Sequence, residues 1–445
     1  MDNMKDKKII AVVGLGYIGI PFCVSLANVG FRVIGVDIDE KKVKKLHQSY
    51  TSEIYEPGVN EGLQRCRDSI EFTTSYKYAL ERCNAIFLTV GTPLKAEDEP
   101  DYSYLDSALD SIGQHLQKGQ VVVLKSTVAL GTTEEHVVQK LEKQSKLKAG
   151  TDFFLAFCPE RTIEGLALHE LYNLPKIVGG INQESSQKVA EIVERLGSKV
   201  IIVSRPMVAE MCKLLDNLFR SVNIAFANEV GMVCEKLGLN SHEVISAVNN
   251  AYSRTRIFSP GLGADGPCLS KDPMIFRYSA HKYGIVPAVT EGAISTNLES
   301  TLRIASLVSG FIEEKNILKP KIGIVGLAFK GFPETDDMRG SPAIKIKDAL
   351  VATHPDAVIS YYDPIVSSVD GEKVEASIAD CIKNCNVIMF LTNHRRIMNL
   401  DAKAVLAEAR KPCLVIDAWQ NLKNIESVDT PDIMVFRIGV GDMKK

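Results

Sequence analysis

Along residues 1–206, short runs of β-branched and other apolar residues alternate with longer stretches of mixed polarity. IIAVV, RVIGVDI, AIFLTV, QVVVLKSTV, FFLAF and KVIIV read as buried strands, with the helical patterns KKVKKLHQ and EEHVVQKLEKQ among them. This alternation predicts a doubly wound α/β domain built on a parallel sheet. From Met207 to Phe311 the texture changes. VAEMCKLLDNLFRSVNIAFANEVGMVCEKLG keeps apolar residues at helical spacing over many turns without a proline, and Gly238 predicts its end. EGAISTNLESTLRIASLVSGFIEE is a second long helix. After Lys319-Pro320 the strand pattern returns in KIGIVGLAF, VISYYD, NVIMFLT and CLVIDAW. The predicted architecture is α/β, with two Rossmann-like domains, 1–206 and 317–445, flanking an all-helical central domain, 207–316. KIIAVVGLG near the N-terminus and KIGIVGLAFK after Pro320 echo one another, although any buried strand that ends at a glycine gives such an echo.

Composition narrows the function. The 445 residues are 45% hydrophobic and 24% charged, as in ordinary globular proteins, and the formal net charge of −3 supplies no basic field for nucleic acid. The basic start MDNMKDKK followed by IIAVV superficially resembles a signal peptide, but the apolar run is short and leads into glycines, as a buried strand does. No apolar run has the length that crosses a membrane. Ten scattered cysteines without a CxxC pair predict neither a disulfide framework nor a metal site, so a reduced, cytoplasmic protein is expected.

GLGYIG, residues Gly14, Leu15, Gly16, Tyr17, Ile18 and Gly19, follows the first strand directly. The first glycine permits a tight turn, the second lets backbone approach a pyrophosphate, and the third allows close helix–strand packing. Asp37 ends the second strand, where a carboxylate binds ribose hydroxyls and repels a 2′-phosphate, so the cofactor is read as NAD. A solvated strand-end carboxylate is the plainer reading of Asp37. Gly91 and Thr92 of VGTP, with Ser126 and Thr127 of KSTV, follow two further strands and are candidate pocket residues, though loop punctuation gives the same letters.

GLGADGPCLSKDP places Cys268 after Gly261, Gly263 and Gly266 and just before Lys271 and Asp272. A thiol between close-approach glycines and a cation–carboxylate pair suits covalent catalysis with proton transfer. The other nine cysteines have no comparable setting; Cys23, Cys83, Cys212 and Cys234 read as core. Oxidising an alcohol only to a carbonyl needs no thiol. Carrying an aldehyde to an acid does benefit, because a thiohemiacetal has a hydride to give.

Together, GLGYIG, VGTP, KSTV, CPER, AEMCKLLDNLFRSVNIAFANE, PGLGADGPCLSKDP and GLAFKGFPETDDMRGSPA resemble the UDP-glucose/GDP-mannose dehydrogenase family over essentially the whole chain. The resemblance implies four-electron, NAD-dependent oxidation of C6 of a nucleotide-linked sugar through a Cys268 thioester. It also implies alkoxide and oxyanion stabilisation by Lys213 assisted by Asn217, and proton transfer through water at Asp272, with Lys271 supporting it. Glu160 would position or activate the hydrolytic water, and Thr127 would hold it too. From the residues alone, Lys213 reads as a solvated helix lysine. Glu160, Arg161, Lys213, Asn217, Gly261 and Gly263 would line the substrate site. Lys330 and Arg339 would meet the nucleotide, with Ser341-Pro342 starting a helix beside them, and Arg254 would reach a substrate across a dimer interface. A homodimer built on the helical domain, with its uronate product feeding a polysaccharide, is implied likewise.

CPER and the ending VFRIGVG resemble the branch acting on UDP-N-acetylhexosamines, such as UDP-N-acetylmannosamine or UDP-N-acetylglucosamine. The lysine of CLSKD is commoner in UDP-glucose enzymes, so UDP-glucose is the alternative substrate. Asp265 stands where the family usually has glycine, Pro267 stiffens the loop, and Ala129 replaces the usual proline after STV. If the position of Asp265 requires a positive φ, an aspartate tolerates it better than most residues, but at some cost. Two other readings remain: a two-electron dehydrogenase with no need for Cys268, and a non-catalytic sensor of NAD or nucleotide sugar.

Overall fold

The first strand, Ile9–Val13, is buried over its last four residues because both faces of its sheet carry helices. The computed structural model describes residues 8–96, 98–425 and 432–441; the basic N-terminal start, Met1 to Lys7, lies outside them. The chain forms two compact units, Met1–Asp216 with Met274–Ile285, and Asn217–Pro273 with Val286–Lys445.

In the first unit, β1 (Ile9–Val13), β2 (Arg32–Val36), β3 (Ile70–Thr73), β4 (Ala85–Leu88), β5 (Val121–Leu124), β6 (Phe154–Phe157), β7 (Lys176–Gly180) and β8 (Val200–Val203) make one sheet. Their order is β3-β2-β1-β4-β5-β6-β7-β8. The six strand runs of the sequence are all present. β3 and β7 were not expected, and the sheet is not wholly parallel: β6 and β7 pair antiparallel, Ala156 opposite Gly180 and Phe157 opposite Gly179. The connection between them, residues 158–175, carries the helix Ala167–Asn173 and returns the chain in the opposite direction. Phe22, Phe31, Phe87 and Val123 belong to a cluster on one side, and Leu80, Leu109, Leu141 and Phe157 to a second. Burying each such side chain contributes about 1.5–3 kcal/mol.

The second unit holds β9 (Lys321–Val325), β10 (Val358–Tyr362), two small ribbons made of β11 (Ser368–Val369) with β12 (Glu372–Lys373) and β14 (Leu400–Asp401) with β16 (Leu422–Lys423), and β13 (Val387–Phe390), β15 (Cys413–Asp417) and β17 (Ile433–Arg437). The main sheet runs β10-β9-β13-β15-β17, all parallel. The two long helices of the middle are Pro206–Leu237, ended by Gly238 at φ +70°, and Ala288–Glu314. No helix among the described residues is long and apolar enough to cross a membrane, and no cluster of potential metal ligands occurs among them.

The echo between the two strand–glycine turns is structural. Gly14 and Gly326 both sit at φ +96°. Gly14 N–H donates to Val36 O and Gly326 N–H to Tyr362 O, each at 2.8 Å. Leu15 N–H donates to Asp37 at 2.8 Å, and Leu327 N–H to Asp363 at 2.7 Å. Two distant segments thus build the same turn, each closed by the aspartate that ends the neighbouring strand.

Candidate active site

In the first unit, β1 runs through the glycine turn into the helix Gly19–Asn28. A Cβ on Gly14 would lie 3.0 Å from the backbone of Thr89 and Val90, and one on Gly19 would lie 1.8 Å from Gly14 O. At Gly16 a Cβ would meet nothing within 4 Å, so this backbone is open to a ligand. The helix begins at Ile18 with no side-chain cap and no acidic residue in its first turn. Its N–H groups therefore suit a pyrophosphate. Tyr17 lines a cavity of about 500 Å³ together with Leu15, Asp39, Lys42 and Ile54.

Asp37 is 9% exposed and multiply bonded. One oxygen accepts from Leu15 N–H, the other from Asp39 N–H at 3.0 Å, and Lys42 Nζ lies 3.0 Å away. The solvated-carboxylate reading fails, since Asp37 closes the cofactor turn. Gly91 is exposed, Thr92 is buried, and the Ser126 hydroxyl donates to Val90 O at 2.7 Å, which ties the VGTP and KSTV loops together. Thr127 is half-buried beside it.

Glu160 is only 6% exposed, and its main partner, Lys125, was not among the expected site residues. Lys125 Nζ lies 3.2 Å from one carboxylate oxygen, and both side chains are almost wholly buried. The other oxygen accepts from the Arg161 and Thr162 N–H groups at 2.8 and 3.1 Å. Burial opposes the charge on Glu160, but the Lys125 and Lys176 ammonium groups outweigh it and hold the carboxyl at about 2. Burial also opposes the charge on Lys125, which Glu160 more than restores; Lys176, buried too, is pushed below the usual lysine range. So acidic a carboxyl orients donors well and is a weak base at neutral pH. Arg161 turns away to Asp216, at 2.6 Å. Lys213 is 8% exposed on the helix Pro206–Leu237, so it is not a solvated helix lysine.

In the second unit, Asn217 follows Lys213 by one turn and is completely buried. Its amide N–H donates to Asp272, itself 1% exposed, and its carbonyl accepts from Arg220. Arg220 escaped sequence reading, although its i+3 spacing from Asn217 was the available signal. Cys268 lies in the short helix Gly266–Leu269, and Asp272 opens the next helix, Asp272–Lys282, with Lys271 half-buried between. Among all ten cysteines Cys268 alone is exposed; Cys212 is intermediate and the rest are buried. Burial lifts the thiols of Cys83, Cys381 and Cys413 to about 12, which leaves them inert.

The cysteine loop is held by its surroundings. Gly261 N–H donates to Asn228 at 2.7 Å, and a Cβ on Gly261 would lie 3.0 Å from the ring of Trp419, which donates its indole N–H to Leu391 O. Gly263 takes φ +118° and Gly266 +85°, while Asp265 is extended at φ −128°. The aspartate substitution is therefore unstrained. Lys330 sits by the Phe329 ring, and Arg339 grips Asp337 through Nε and Nη at 2.6–2.9 Å. Ser341 caps the helix Pro342–Thr353, with Pro342 in its first turn, as the sequence predicted. Arg254 is exposed and lies against Tyr252.

Three sequence profiles of the UDP-glucose/GDP-mannose dehydrogenase family match in order: the NAD binding domain over 8–197, the central domain over 207–299 and the UDP binding domain over 323–424. The chain is 31% identical over 440 residues to the UDP-N-acetyl-D-mannosamine dehydrogenase of Pyrococcus horikoshii, covering 98% of this chain and 100% of that one. It is 32% identical over 409 residues to an NDP-N-acetyl-D-galactosaminuronic acid dehydrogenase of Ralstonia solanacearum, covering 89% and 93%. The solved P. horikoshii enzyme superposes with a TM-score of 0.87 at 30% identity over 98% of this chain and 100% of that one. A UDP-glucose dehydrogenase from Pyrobaculum islandicum superposes at 0.84 with 25% identity over 99% of each. With the glycine turn, its aspartate and three matched domains in order, the chain belongs to the UDP-glucose/GDP-mannose dehydrogenase family and is an NAD-dependent nucleotide-sugar dehydrogenase.

Proposed function

We propose that this enzyme oxidises C6 of a UDP-N-acetylhexosamine, UDP-N-acetylmannosamine or UDP-N-acetylglucosamine, to the uronate through a covalent Cys268 intermediate. The observation that carries the reading is the exposure of Cys268 alone among ten cysteines, on a glycine loop in the unit that buries the Asn217–Asp272 pair. Similarity to N-acetylhexosamine enzymes supports the substrate class.

Two hydrides leave C6, one at the alcohol and one at the thiohemiacetal level, and NAD is the acceptor each time. Lys213 stabilises the alkoxide and later oxyanions, with Asn217 assisting. Cys268 thiolate adds to the aldehyde carbon, whose oxygen takes a proton; loss of the second hydride together with that hydroxyl proton leaves a thioester. Water then attacks the thioester, with Asp272 in proton transfer and Lys271 supporting it, and the thiol is released. Thr127 and Glu160 hold that water, Glu160 by orientation, given its low basicity. Arg161, Gly261 and Gly263 line the sugar site, and Lys330 and Arg339 contact the diphosphate. We read residues 1–206, 207–316 and 317–445 as the cofactor, central and nucleotide-sugar domains. Phe219, Phe226 and Val233 recur every seven residues along the helix Pro206–Leu237 at 60%, 51% and 54% exposure, an apolar row suited to a homodimer with Arg254 reaching across. The reaction would take place in the cytoplasm and supply uronate for a polysaccharide.

NADH released per sugar, for wild type and Cys268→Ser with each UDP-sugar and UDP-glucose, tests the reading. Two NADH per N-acetylhexosamine, lost or stalled in the variant, is the expected outcome. Faster two-NADH turnover of UDP-glucose would favour the other substrate, for which Lys271 speaks. One NADH unaffected by the variant would make a two-electron dehydrogenase, and binding with no NADH from any sugar a sensor.

A further inference from the structure

Asp265 poses a question that the proposed chemistry leaves open: why is a carboxylate built into the cysteine loop? Its side chain is 5% exposed, and its backbone is extended, so an apolar residue would fit the same conformation. Burial raises its carboxyl above the usual range although Lys345 and Thr301 favour the charged form. With the carboxylate buried and Lys345 34% exposed, the pair is a poor way to gain stability, because desolvation of the carboxylate offsets much of the attraction. What an ion pair does add is a single defined geometry.

That geometry joins two segments. Lys345 Nζ donates to one oxygen of Asp265 at 2.5 Å, and the Thr301 hydroxyl lies 3.4 Å from the other. Lys345 stands on the helix Pro342–Thr353, six residues after Arg339. Beside the pair, Gly266 N–H donates to Gly340 O at 3.1 Å. A Cβ on Gly340 would approach Ser270 Oγ to 3.0 Å and Gly266 O to 3.1 Å, and one on Gly266 would approach the Phe329 ring to 2.4 Å. Backbone and ring thus press the cysteine loop onto the stretch carrying Lys330 and Arg339.

We propose that Asp265 and Lys345 are a positioning pair that fixes the Cys268 loop on the diphosphate-binding segment, so that a sugar nucleotide held there presents its C6 to the thiol. The inference rests on the reading of Cys268 as nucleophile. Neither residue touches the reacting atoms; both set where the sulfur stands relative to the bound nucleotide. A misplacement of about 1 Å costs on the order of a hundredfold in rate.

The test compares Asp265→Asn, Lys345→Met, Lys345→Arg and the double variant Asp265→Ala/Lys345→Met with wild type and Cys268→Ser, in the full-length enzyme. The expected result is a kcat at least tenfold lower for Asp265→Asn and Lys345→Met. KM for NAD should stay within twofold and KM for the UDP-sugar within threefold, with Lys345→Arg recovering most of kcat. The double variant leaves no buried carboxylate unpaired; with wild-type Tm and the same loss of kcat it would confirm positioning. Wild-type kcat in the double variant, or in both single ones, would overturn the proposal, as would a kcat loss that Lys345→Arg fails to relieve. Two NADH per sugar from Cys268→Ser would overturn the nucleophile reading itself. A stalled Cys268→Ser beside fully active pair variants would remove the pair alone.

Discussion

Glu160 holds a negative charge where water scarcely reaches, between Lys125 at 3.2 Å and two backbone N–H groups. Its carboxyl lies at about 2 in the fold against an ordinary 4.5, so its ionisation stabilises the fold fully above about pH 4.5. That contribution, on the order of 3 kcal/mol, is lost as pH falls through this window toward 2. Denaturant unfolding of wild type and Glu160→Gln at pH 7 and pH 3.5 checks it. The stability gap between them should shrink by about 1 kcal/mol at the lower pH. An unchanged gap would show that the amide replaces the carboxylate without reference to charge. Lys125 and Lys176 were invisible as partners of Glu160 because the three come from separate loops and strands. By contrast, the distinction between Cys268 and its nine fellows was legible: helical and strand context marked the others as core, and glycines marked this one as open.

At the scale of elements, the strand–glycine–helix turn has almost no slack. Because a Cβ on Gly19 would lie 1.8 Å from Gly14 O, Gly19→Ala must push the helix Gly19–Asn28 off β1. We expect NAD affinity to fall at least tenfold while UDP affinity stays within twofold, both read by calorimetry; intact NAD binding would mean that the helix can shift freely. The corresponding turn at Gly326 shows what the sequence offered and what it withheld. KIIAVVGLG and KIGIVGLAFK announced the strands and glycines, but not that Asp363 repeats the part of Asp37. That match depends on a neighbouring strand, VISYYD, whose partner is set only by the sheet order. β3 breaks its apolar residues with the glutamate of IEFT and β7 ends in two glycines, so neither gives an apolar run like those of IIAVV, VVVL or FLAF. The reversed direction of β7 was equally hidden, since direction follows from how a connection packs. The long helices, by contrast, were plain from uninterrupted periodicity and from Gly238.

For the molecule as a whole, the exposed row Phe219, Phe226 and Val233 is more apolar surface than a lone helix needs. Replacing Phe219 by Asp should convert the proposed dimer into monomers in sedimentation velocity at micromolar concentration; an unchanged species would assign the row to something else. Composition could not show this row, because its residues share a helix with buried ones of the same kind. The seating of the cysteine loop against Trp419 has a consequence of a different sort. The chain contains one tryptophan, and that indole lies under Gly261 at the start of the loop. All indole emission therefore originates beside the segment that carries Cys268. The enzyme arrives with its own optical probe, and lifting or settling of that loop during turnover can be followed in unlabelled protein.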